Sequence, residues 1–289
     1  MNSQLKTLLA SCVADADGIY SGMGTLVSAQ SEEIGLRERV AAQHYDDYLA
    51  ALSLSHSIPV MDREVDLFLE KMPQGALILD VGGCWGWHWR RIAQTRPDVA
   101  VLIVDFVRSN LPHASNLLGK TVGHQVELMH ADATALPFVV DAEFPGFDGV
   151  WTVQTFQHIP DFEKAVSESY RVMKPGGLFV NYSLNVQPPV RWARRLLGRG
   201  YLTKGWIDGA FWLARASDDQ KNCIEAVFGR PVTQRWSEIL YSPELRIPAA
   251  GRHGSVFGKL DALLSNNAGV FGWFARQRSF HCEKPRTSN

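Results

Sequence analysis

Long apolar runs are missing from this 289-residue chain; no stretch approaches the ~20 residues that a membrane-spanning helix needs. Cysteine is scarce too. The four present (Cys12, Cys84, Cys223, Cys282) are scattered, with no CxxC pair and no metal-ligand spacing. That excludes a disulfide scaffold or a zinc ribbon and implies a reduced, cytoplasmic setting. Excess charge of either sign is also lacking, with 29 basic against 30 acidic residues, so nothing draws the whole molecule to nucleic acid or to anionic membrane. Internal repeats and low-complexity tracts are absent. Leu9-Ala10-Ser11-Cys12 has the form of a lipoprotein cleavage box, but the apolar run before it is too short for a secretory core. What is there is apolar bulk, 46% of residues, enough for one large domain or one domain with an appendage.

The stretch that organises the rest is LILDVGGCWG, residues 77–86. A short apolar run leads to Asp80 and then to a turn rich in glycine (Gly82, Gly83, Gly86). The next stretch, WHWRRIAQ, has no breaker before Pro97. This reads as a buried parallel strand, a tight turn and a helix. Such a turn lets backbone approach a ligand, and a helix start offers unpaired N–H groups. A second apolar strand, VAVLIVDF (99–106), ends in Asp105. Its carboxylate falls near the position where an acidic side chain binds ribose hydroxyls in nucleotide-binding βαβ units. QVELMHA (125–131) is a third strand, followed by Asp132 and Ala133, and FDGVWTV opens a fourth whose edge runs from Gln154 to His158. Asp161 reads as the N-cap of an amphipathic helix that stops at RVMKPGG, and GLFVNYS (177–183) is a fifth strand.

LILDVGGCWG resembles the first motif of class I S-adenosylmethionine-dependent methyltransferases, a strand ending in Asp-x-Gly-x-Gly-x-Gly. Asp80, Gly82 and Gly86 fall on its acidic position and its first and third glycines, while Cys84 replaces the middle glycine. A left-handed backbone at Cys84 would be strained, because cysteine has a Cβ. RVMKPGG before the fifth strand resembles the small-molecule methyltransferase superfamily far more than any dehydrogenase. The resemblance covers residues 77–183 well and the last two strands loosely. It implies an α/β, Rossmann-like, seven-stranded and mostly parallel sheet with an antiparallel last strand at its edge, helices on both faces and an N-terminal helical lid. It divides the chain into an arm with lid helices (1–72) and a methyltransferase domain (73–289), with a substrate-covering insertion at about 184–231.

The cofactor implied is S-adenosyl-L-methionine, held by Asp80, Gly82, Gly83, Gly86, Asp105, Phe106, Asp132, Ala133 and Gln154. Phe106 would lie against the adenine, and Asp132 would accept from its amino group. Methyl transfer from a sulfonium needs donor and acceptor held in line in a water-poor pocket. His158, on the binding edge, is the candidate general base for an alcohol or phenol, since histidine titrates near neutrality. Against this, a histidine there could merely cap the following turn. Tyr45 and Tyr48, in a helical pattern from Ser31 to Leu52, are candidate substrate contacts in the lid, with core packing as the competing reading. No metal is expected.

The expected activity is methylation of a small-molecule acceptor, O-methylation favoured. A saccharide or lipid-linked acceptor is the variant suggested by a basic helix from Arg191 to Arg199 with Trp192, Tyr201 and Trp206 nearby. That patch would contact an anionic lipid surface, or else form an ordinary solvated face. A nicotinamide dehydrogenase would need glycine at 82, 84 and 87, and Cys84 and Trp87 break that pattern. A non-catalytic binding protein on the same fold is the remaining class. Residues 1–30, polar and glycine-rich, read as a mobile arm or loosely packed turns.

Overall fold

The computed structural model describes residues 3–10, 12–23, 34–35, 38, 42, 47–185, 188–198, 218–241 and 251–286. Tyr45 and most of the expected Ser31–Leu52 helix lie outside them, as do Tyr201 and Trp206.

Eight strands form one sheet: β1 (Tyr20–Gly22), β2 (Leu77–Val81), β3 (Ala100–Asp105), β4 (Val126–Ala131), β5 (Phe147–Val153), β6 (Met173–Leu184), β7 (Thr233–Ser237) and β8 (Gln277–Glu283). Their order across the sheet is β1-β4-β3-β2-β5-β6-β8-β7. Pairing is parallel from β1 to β6, whereas β8 pairs antiparallel with both β6 and β7. The last strand is therefore antiparallel as expected, but it sits one place in from the edge, which β7 occupies. Parallel strands buried on both faces read as continuous apolar runs. β2 and β3 are of this kind, buried at every position.

Helices cover both faces. Among the described residues they are α1 (Ser3–Leu8), α2 (Tyr48–Leu52), α3 (Ile58–Leu69), α4 (Ile92–Thr95), α5 (Asn110–Leu118), α6 (Phe162–Arg171), α7 (Pro188–Leu196), α8 (Asp218–Phe228) and α9 (Val256–Leu264). Alternate β2 residues Leu77 and Leu79 share one core with Leu5 of α1, Val166 of α6 and Phe228 of α8. Ile78 points to the other core, with Met61 and Phe68 of α3 and Leu111 of α5. The α6 N-cap is as read: the Asp161 carboxylate accepts from the Lys164 N–H at 3.3 Å. The stretch behind the glycine turn is a 3₁₀ turn (Trp87–Trp89) and the short α4 rather than one continuous helix.

Three expectations are corrected here. The N-terminal arm is not loose: Leu5 and Leu9 are buried in the core, and β1 adds an eighth strand beside β4. The Arg108 guanidinium binds it down by donating to Asp15 and Asp17. The insertion does not extend to 231, because Ile224 and Phe228 of α8 are core residues that pack beside α6. Finally, the Lys174-Pro175-Gly176-Gly177 turn lies within the long strand β6, which begins at Met173.

Candidate functional site

The chain winds outward from β2 through β3 to β4, then returns to the far side of β2 to lay down β5. The carboxyl ends of β2 and β5 therefore part at the point where strand order reverses, which in open α/β sheets is where ligands bind. A cleft of about 270 Å³ opens there. Its walls include Gly82 and Cys84 after β2, Asp105 and Phe106 after β3, Asp132 and Ala133 after β4, and Gln154, Thr155 and His158 after β5.

The turn after β2 is shaped by steric necessity. Gly82 has φ +71°, its N–H donates to the Val104 carbonyl at 2.7 Å, and a Cβ there would come within 2.3 Å of Thr155. Cys84 does adopt the left-handed conformation, with φ 51°. Its N–H donates to Asp105 Oδ2 at 2.8 Å, while Oδ1 of the same carboxylate accepts from the Val107 N–H at 2.8 Å. The loop and the end of β3 are thus tied through one carboxylate. Burial raises the Asp105 pKa from its ordinary value, and the N–H donors oppose the shift.

Gln154 is a second non-glycine residue in the left-handed region (φ 53°), and its side-chain Nε2 is buried without a hydrogen-bond partner. Backbone strain of this kind persists only where the surroundings over-determine it. Here both strained residues face the cleft. The backbone N–H of His158 donates to the Thr155 carbonyl at 2.9 Å, and its ring lies 3.2 Å from the Gln157 amide.

Other candidate residues stand elsewhere. Asp80 does not line the cleft. It is 1% exposed beneath the glycine turn, where its Oδ2 accepts from the Trp89 indole N–H at 2.6 Å. Burial pushes its pKa up to about 7, with the nearby Asp105 charge adding to the rise and the indole bond opposing it. Gly83 and Gly86 likewise support the turn from behind: a Cβ on Gly83 would meet Asp80, and one on Gly86 would meet Ile103. Tyr48 is drawn away by aromatic packing. Its hydroxyl lies 2.9 Å from His113 Nδ1, and its ring meets Trp85 edge-on at 5.4 Å. Trp85 is held in that cluster and leaves the cleft open.

His56 was not among the expected residues, yet it lines the cleft with its Nδ1 buried and unpartnered. Burial first, and the Arg276 charge second, bring its pKa down to about 3. No periodic signal marks it, since it lies in the turn between α2 and α3. Among the described residues no cluster of His, Cys, Asp and Glu is arranged to hold a metal ion.

The donor set fits an adenosyl cofactor. Two carboxylates at adjacent strand ends suit hydroxyl and amino groups, Phe106 offers an apolar face, and the buried Gln154 amide supplies an unsatisfied donor. Comparison with known proteins agrees. Residues 79–181 match the family described as a methyltransferase domain. The demethylmenaquinone methyltransferase of Thermus thermophilus is 34% identical over 176 residues, 59% of this chain and 76% of that enzyme. The malonyl-[acyl-carrier protein] O-methyltransferase of Geobacter sulfurreducens is 33% identical over 48% of each chain. A demethylmenaquinone methyltransferase of Listeria welshimeri is 30% identical over 43% of this chain; the chain spans about half the length of these last two relatives, 48% and 51%.

Among solved structures, the [4+2]-cyclase SpnF superposes with a TM-score of 0.51 at 18% identity, covering 92% of this chain and 99% of that one. A Haloferax volcanii methyltransferase in complex with the activator Trm112 gives 0.51 at 16% identity, covering 90% of this chain and 96% of that one. Those two likenesses show the fold alone, since one of the pair is a cyclase. Taken with the sequence identity to the Thermus enzyme, the strand order and the cleft place this chain in the class I S-adenosylmethionine-dependent methyltransferases.

Proposed function

We propose that this methyltransferase acts on a small acceptor carrying an ionisable hydroxyl, and that O-methylation is its reaction. The observation that carries the reading is the presence of two imidazoles, His56 and His158, on the walls of the cleft that Asp105 and Asp132 also line. An alcohol or phenol is a poor nucleophile until it sheds its proton, and a placed histidine is the ordinary means of taking it. His158 is the proposed base. His56, held neutral by burial, is suited to hydrogen-bond the acceptor without competing for the proton.

S-adenosylmethionine supplies an electrophilic methyl group on a sulfonium. Asp105 and Asp132 are proposed to hold its hydroxyl and amino groups, Gly82 and Cys84 to give it backbone contact, Phe106 and Ala133 to pack on the base, and the Gln154 amide to donate to it. The chain's remaining task is to exclude water and hold the acceptor in line.

A second reading, C-methylation of a hydroxylated ring, is favoured by the 34% identity to the Thermus demethylmenaquinone enzyme. Deprotonating such a ring makes both its oxygen and its adjacent carbon nucleophilic, so the same base serves either product. Isothermal titration and single-turnover assays with a panel of hydroxylated acceptors test the proposal. Asp105→Ala should weaken S-adenosylhomocysteine binding by roughly 10- to 100-fold, as expected for hydrogen bonds to a charged group. His158→Ala should bind it normally and turn over about a hundredfold more slowly. Unchanged single-turnover rates in that variant would remove His158 from the chemistry, and the product's carbon-13 shift distinguishes methoxy from ring methyl.

A further inference from the structure

The C-terminal third presents an apolar surface that the cleft does not use. On α9, Val256, Phe257, Leu260 and Leu263 form one exposed stripe, with Val256 81% and Leu263 70% exposed. Gly258, Asp261 and Ala262 turn the opposite side of the helix inward. Val270, Trp273 and Phe274 continue the exposed apolar surface along the chain, Trp273 at 71%. Soluble surfaces rarely expose so many large apolar side chains together.

Charge identifies a partner for this surface. Between residues 251 and 276 the only acidic side chain is Asp261. It is fully buried, accepting from the N–H groups of Ile239, Leu240 and Tyr241. The exposed charged residues of this stretch are Arg252 and Lys259. The groove beside α9 is also lined by Asp62 and Asp66 of α3, paired with Arg90 and Arg91, and by the exposed Glu70 just past that helix, with Arg63 and Lys259 as further cations. The stretch itself is thus apolar and aromatic, with Arg252 and Lys259 as its exposed charges, the composition of a segment that lies in the interface of an anionic bilayer.

Position supports the same occupant. Asn185, immediately past the carboxyl end of β6, donates its side-chain amide to the carbonyls of Gly272 and Ala275. The Ile58 N–H donates to the Gly251 carbonyl, two residues from cleft-lining His56. Both ends of the stretch are therefore anchored at the edge of the sheet where the cleft opens. The α7 helix also follows β6 at this edge and exposes Trp192, Leu196 and Arg195. Among the described residues no helix is long and apolar enough to cross a membrane, so attachment here would be peripheral.

We propose that the α9 stripe and the Val270–Phe274 turn dock this enzyme on the surface of an anionic phospholipid bilayer. The inference does not depend on which acceptor is methylated. Sedimentation of the full chain with phosphatidylcholine vesicles, with and without phosphatidylglycerol, tests it directly. Binding should require phosphatidylglycerol and fall as salt is raised. Leu260→Glu and Trp273→Glu, both at exposed positions, should each lower the partition coefficient by roughly tenfold or more while the melting curve and S-adenosylhomocysteine affinity stay as in the parent. Absence of binding to anionic vesicles at low ionic strength overturns the proposal, as does binding that neither substitution weakens. Light scattering that shows a dimer dissociated by Leu260→Glu would overturn it too, by assigning the face to a second copy of the chain.

Discussion

Asp80 is the acidic residue of the glycine-turn motif, yet its carboxyl group is spent on the Trp89 indole under the turn and not on the cleft. Its pKa is raised to about 7, above the ordinary value of about 3.9 in an unfolded chain. The native state therefore holds a proton that the unfolded state gives up. This contribution to stability is full below about pH 4, by the unfolded value, and is lost as pH rises towards 7. Asp80→Asn keeps an acceptor for the indole and removes the titration. Urea unfolding at pH 5 and pH 7.5 should show a smaller loss of stability with rising pH in the variant than in the parent. Cys84 makes the opposite kind of case, a residue whose side chain opposes the backbone it occupies at φ 51°. Cys84→Gly should raise the unfolding free energy by up to about 1 kcal/mol, the left-handed strain relieved less the added chain entropy, with cofactor affinity retained. A gain in affinity instead would mean that the sulfur intrudes on the cofactor.

Whole elements were legible where periodicity and punctuation agree. β2 to β6 and the Asp161-capped helix α6 could be placed to within a few residues because each is an apolar run or stripe closed by glycine, proline or a capping carboxylate. Asp105, Phe106, Asp132, Ala133 and Gln154 could be located for the same reason: strand ends fix them in space. What could not be read is whatever depends on distant partners. The contacts of Tyr48 with His113 and Trp85 join distant parts of the chain, and His56 has no pattern at all. The arm misled for a related reason. Leu5 and Leu9 are isolated apolar residues in a polar, glycine-rich stretch, and their burial follows only from β1 pairing with β4. Leu5→Ala tests that packing: with the side chain wholly buried, the loss should be about 2–5 kcal/mol in chemical denaturation. A loss near zero would restore the loosely packed arm.

At the scale of the molecule, the C-terminal strands are fastened to the nucleotide-binding half by buried polar groups, in addition to apolar packing. Glu64 of α3 lies 1% exposed and accepts from Tyr182 of β6 at 2.8 Å, from Asn266 past α9 at 2.7 Å, and from Ser237 of β7. One side chain from the helix before β2 thus gathers three segments, each more than a hundred residues from it in sequence. Beside it, Glu238 pairs with Arg276 at 2.7 Å and accepts the Ser57 N–H at 2.7 Å. In the sequence Glu64 follows Arg63 on an amphipathic helix and resembles any solvated glutamate, which is why this joint was illegible. Burial raises its pKa while its hydroxyl and amide donors oppose the shift. A partner removed from such a network leaves the others buried and unsatisfied, which costs more than the bonds contribute. Glu64→Ala should lower stability by about 2–4 kcal/mol, by the cost of orphaned buried donors. Glu64→Gln, which keeps two acceptor lone pairs on its carbonyl, should lose less. Far-UV dichroism and tryptophan fluorescence should still follow one coincident transition in both variants, because the sheet is continuous from β1 to β7. Two separated transitions in Glu64→Ala would instead reveal that β7 and β8 melt on their own, with Glu64 as the joint that couples them to the cleft.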